Sequence, residues 1–76
     1  MKYIIVKDQN DVESAIVFPN HIMHLHVARV HYVGEIVVLS AGFCDLKTGE
    51  VWGKSESLDM QSRKEDSNII KRDYVE

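Results

Sequence analysis

The run from Ile36 to Phe43 constrains this chain more than any other segment, because it is apolar at odd and even positions alike, broken only by Ser40 and Gly42. A strand of that kind has no face to offer to water. It belongs in the middle of a sheet or against a second subunit. Its partners are legible on either side. Tyr3 to Val6 is a compact β-branched and aromatic run that ends in the turn formers Asp8-Gln9-Asn10-Asp11. Val12 to Phe18 follows, with Val12, Ser14, Ile16 and Phe18 on one face, so the two runs read as a β-hairpin. Pro19 has no N–H for a ladder and stops the pairing.

After the long apolar run, Lys47-Thr48-Gly49-Glu50 reads as a hairpin turn with Gly49 free to take a positive φ. Val51 to Leu58 is then the return strand, polar enough to form a sheet edge. Asn20 is a good helix N-cap, and His21 to Val30 contains no breaker, so a helix is expected there with Val33-Gly34 as its exit. The same residues also alternate as a strand would, with Met23, Leu25 and Val27 against His24, His26 and Ala28. At the other end, Ser62-Arg63-Lys64-Glu65 matches an S-x-x-E capping box. Glu65 and Asp66 sit at the positive end of the helix dipole and Lys71 and Arg72 at the negative end. A helix from Arg63 to Arg72 is expected, with Ile70 and Tyr74 sharing a core-facing stripe beside Ile69.

The order is therefore ββαββα. It predicts one α+β domain over residues 1–76: a four-stranded, mostly antiparallel sheet with two helices packed on it. Seventy-six residues allow no second domain, and 45% hydrophobic with 28% charged residues is a globular balance. Two short helices readily cover one face of such a sheet. The other face, or the edge strand around Trp52, is then expected to be covered by a second copy, giving a homodimer.

Charge and cysteine usage exclude several classes. A net charge of −3 argues against nucleic-acid or anionic-lipid binding, which needs clustered Lys and Arg. The lone Cys44 forms no intramolecular disulfide and fits a reducing compartment. The apolar stretch after Met1 is too short for a signal sequence, and no run approaches membrane-spanning length, so a cytoplasmic location is expected.

Little points to catalysis. His21 and His24 are one helical turn apart and, with Cys44, form the alternative metal-binding or small-enzyme site; His26 points elsewhere on that helix. No His-Glu-x-x-His or paired-cysteine motif supports that site, and surface or helix-end histidines are the ordinary reading. Ser40-Ala41-Gly42 lacks the first glycine of a nucleophile elbow, and no glycine-rich phosphate loop occurs. No catalytic residue, resident metal or cofactor is assigned. Trp52 is the residue most suited to a binding surface, since tryptophan is enriched at interface hot spots. Ser55, Glu56 and Tyr32 are grouped with it as interaction residues.

The C-terminal half carries Ser40-Ala41-Gly42-Phe43, Gly53-Lys54-Ser55-Glu56-Ser57-Leu58 and Ser62-Arg63-Lys64-Glu65-Asp66. This pattern resembles a type of short uncharacterised protein from phage and prophage genomes. The resemblance implies a bacterial or viral origin and an accessory gene, and through it a non-enzymatic module that binds and modulates a host protein, including a defence protein. An acidic mimic of DNA is a third reading.

Overall fold

The computed structural model describes residues 1–31 and 37–75. Four strands, β1 (Lys2–Lys7), β2 (Glu13–Phe18), β3 (Val37–Cys44) and β4 (Val51–Trp52), form an antiparallel sheet in the order β2-β1-β3-β4. Helix α1 (His24–His31) connects β2 to β3. A two-stranded hairpin, β5 (Lys54–Ser55) with β6 (Met60–Gln61), precedes α2 (Asp66–Tyr74). The α+β class and the antiparallel four-stranded sheet are as expected from the sequence.

Both inner strands are buried on two sides. Tyr3, Ile4, Ile5 and Val6 are all buried, and alternation sends Ile4 and Val6 to one core and Tyr3 and Ile5 to the other. Ile4 and Val6 meet Phe18, Val27, Ala28 and Ala41, with α1 as the lid. Tyr3 and Ile5 meet Ala15, Cys44 and Ile70, with α2 as the lid. A bulge in β3 accommodates both cores: Ile5 faces Ser40 and Val6 faces Val38, leaving Leu39 as the extra residue. The helices thus lie on opposite faces. The sheet face expected to need a second copy is covered by α2 of the same chain.

Local chemistry moved several expected boundaries. The Ile22 N–H donates to the Pro19 carbonyl (3.1 Å), so Asn20 sits in a turn and α1 begins at His24 instead of capping at Asn20. The first-turn N–H of Leu25 is satisfied by Ser57 Oγ at 3.2 Å, a cap supplied from the β5–β6 hairpin. Ser62 does not cap α2. Its N–H and its hydroxyl both donate to the Gly53 carbonyl, and Glu65 makes no side-chain cap bond. The carboxylate that reaches back is Asp66, which accepts the Arg63 N–H at 2.9 Å. The helix accordingly runs Asp66–Tyr74.

The predicted return strand is broken. Only Val51 and Trp52 pair with β3, because Gly53 takes φ +74 and turns the chain out of the ladder. The neighbouring turn is as expected: Gly49 has φ +82 and lies against the aliphatic chain of Lys71. Tyr32, Val33, Gly34 and Ile36 lie outside the described residues. Among those described, no helix is long and apolar enough to cross a membrane.

Candidate functional site

Two polar constellations stand out, one on each face of the sheet. Under α2, the Tyr3 hydroxyl donates to Asp66 Oδ2 at 2.7 Å, and both residues are fully buried. Arg63 Nε donates to Asp66 Oδ1 at 2.8 Å, and Arg63 Nη2 reaches Glu13 Oε1 at 2.8 Å. Asp66 thereby ties strand β1 to the entry of α2, and Arg63 extends the tie to edge strand β2 through Glu13. Burial, then the hydrogen bond to and charge of Asp66, push the Tyr3 phenol's pKa up, so it stays a donor. Every polar atom of Asp66 and Tyr3 is used internally, which makes this a structural staple with no open position for a substrate.

The α1 face is built differently. His24 is buried between two aromatic edges, with ring centroids 5.3 Å from Phe18 and 6.0 Å from Phe43. Its Nε2 lies 2.9 Å from the Gly42 carbonyl, and since a carbonyl only accepts, Nε2 carries the proton. Burial lowers the His24 pKa, which keeps the ring neutral. Phe43 in turn stacks on Trp52, at 6.4 Å between centroids and 18° between planes. Four rings therefore run from the core at Phe18 to the surface at Trp52, which is 50% exposed.

Beside this row lies a groove of about 440 Å³, lined by Lys2, Met23, His24, Phe43, Lys54, Glu56 and Ser57. Its floor is aromatic and its rim carries two ammonium groups and one carboxylate. Lys2 is steadied by donating to the Ile22 carbonyl at 3.0 Å. Trp52 itself lines a second depression of about 370 Å³ with Leu46 and Lys47. The stacked Phe43–Trp52 pair is thus the ridge of an open surface. The glycine after it makes this possible: an ideal Cβ on Gly53 would sit 3.0 Å from the Phe43 ring.

Of the interaction residues named from sequence, Trp52 and Glu56 lie on this surface, whereas Ser55 does not. Ser55 is buried, its Oγ accepting the Leu58 N–H at 3.2 Å and lying 3.3 Å from Ser57 Oγ, so it shapes the β5–β6 turn. Tyr32 falls outside the described residues. The alternative metal set is not brought together. His21 is exposed, His24 uses Nε2 on a carbonyl, and Cys44 is buried in the opposite core against Tyr3 and Ile5. Burial also pushes the Cys44 thiol's pKa up, away from the thiolate that a metal or a nucleophile needs. Among the described residues, no three of His, Cys, Asp and Glu cluster as a metal site.

Lys2, Met23, Phe43, Lys54 and Ser57, which also line the groove, are not among the interaction residues expected from sequence. Phe43 was hidden inside an apolar run, and Gly53 was the one signal that the return strand would bend there. Compared with known proteins, the chain matches no family model, no curated protein and no solved structure.

Proposed function

We propose that this chain is a non-enzymatic binding module that docks a segment of another protein on the Phe43–Trp52 ridge and the groove beside it. The observation that carries the reading is a half-exposed tryptophan stacked on a second ring at the lip of an open, aromatic-floored groove. Such an anchor supplies contact area at low entropy cost, which is why aromatic residues dominate hot spots. The charge of the rim selects the partner. Lys2 and Lys54 outnumber Glu56 on a chain of net charge −3, so the complementary segment carries an apolar side chain flanked by carboxylates. The resemblance to phage and prophage accessory proteins supports a host protein as the source of that segment.

Because Trp52 is the only tryptophan, its fluorescence reports occupancy of this surface without a label. Titration with short peptides carrying leucine or phenylalanine between glutamates should change that emission, and Lys54→Glu should weaken binding about tenfold or more. Equal response to peptides in which the glutamates are replaced by lysines would refute the assignment of partner chemistry. A concentration-dependent change without peptide would instead place a second copy of this chain on the ridge.

A further inference from the structure

The outer edge of β2 is covered by side chains of α2. Arg72 Nη2 donates to the Glu13 carbonyl at 2.7 Å, Asp73 Oδ2 accepts the Ala15 N–H at 3.3 Å, and the Tyr74 hydroxyl donates to the Ala15 carbonyl at 2.9 Å. Arg72 and Asp73 also bond to each other, Nε to Oδ1 at 2.7 Å. Together they present a donor and an acceptor to β2, as the peptide groups of a neighbouring strand would. Among the described residues no strand pairs with this edge.

The strand beneath is one that needs covering. Glu13–Phe18 holds six residues, five of them uncharged, with no proline, glycine or lysine to discourage pairing. We infer that the last turn of α2 is an edge guard, and that the occupant it excludes is β2 of a second copy, added antiparallel across a two-fold axis. The sequence is self-complementary in that register. Pairing centred on Ala15 places Ala15 against Ala15 and Glu13 against Val17, so no like charges face each other. Glu13 and Ala15 point their backbone groups outward, and the period of two gives Val17 the same direction.

The test uses the full chain. Arg72→Ala, Asp73→Ala and Tyr74→Phe combined should double the mass measured by light scattering relative to wild type at the same concentration. Adding Val17→Pro should return it to the wild-type value, since proline removes an outward N–H without touching the β1 ladder. An unchanged mass in the triple variant overturns the inference, as does a doubling that Val17→Pro leaves intact. Asp73→Ala alone gives an independent reading by amide exchange in the folded chain. The Ala15 N–H should exchange about tenfold faster while that of Ile16, on the β1 side, is unaffected; an unaltered Ala15 rate also overturns it.

Discussion

The two faces of this sheet are organised on opposite plans. The α2 face closes on a buried carboxylate whose partners are a phenol, a guanidinium and a backbone N–H, all supplied by the chain. The α1 face ends in a row of rings that reaches solvent at Trp52 and borders an open groove. Buried polar groups that are fully satisfied hold elements in one arrangement, whereas half-exposed aromatics add little to folding and much to association. In a domain this small, the proposed binding surface falls on the face that the structural polar network leaves alone.

The largest effect should come from the network. Asp66→Ala strands the Tyr3 hydroxyl and the Arg63 N–H and takes the buried carboxylate from the guanidinium, which keeps Glu13, so it should destabilise by about 3–5 kcal/mol in denaturant melts. A loss near zero would mean that the α2 face is not locked by Asp66. Gly49→Ala probes the same face at the turn under α2. An alanine at φ +82 must bear left-handed strain and displace the Lys71 side chain, an expected cost of about 1–2 kcal/mol by thermal or chemical unfolding.

On the other face, His24 makes a pH test. Its folded-state pKa lies below the ordinary histidine value, so above about pH 6.5 both folded and unfolded chains hold it neutral. As pH falls through that value the unfolded chain takes up the proton first, and stability declines. His24→Gln keeps a donor for the Gly42 carbonyl and should flatten this part of the decline, seen as a smaller drop in Tm between about pH 7.5 and pH 5.5. An identical drop in both proteins would show that His24 does not titrate as a buried neutral base. Trp52→Ala should cost about 1–2 kcal/mol, less than Asp66→Ala because half of the ring is already in water, together with loss of peptide binding. A loss as large as that of Asp66→Ala would erase the distinction between the faces.

Much of the fold was legible because periodicity encodes it. The both-sided apolarity of the run from Ile36 to Phe43 did place β3, Val37–Cys44, inside the sheet, and the turn formers at Asp8–Asp11 did close a hairpin. Asp8 Oδ1 accepts the N–H groups of Asn10 and Val12. Tyr3–Val6 proved equally central, although four residues are too few to declare it. What was illegible depended on tertiary partners. Ser62 is a good cap locally, yet the Gly53 carbonyl takes its hydroxyl, and Asp66 does the reaching back because Tyr3 and Arg63 wait for it. No local pattern announces the bulge at Leu39 or which face each helix covers. At the site, Trp52 stood out as a residue type. The lysines of the groove carry no such mark, since Lys2 and Lys54 meet only after the chain bends at Gly53.

The measurement closest to the central claim is collisional quenching of the single tryptophan by acrylamide. Trp52 on a free ridge, 50% exposed, should be quenched readily in the folded protein, with a smaller rate constant than in the unfolded chain. The value should stay constant over about a hundredfold dilution. An indole that is shielded when folded at every concentration, and released only by denaturant, would place Trp52 in the core and contradict the division between a locked face and an open, aromatic one.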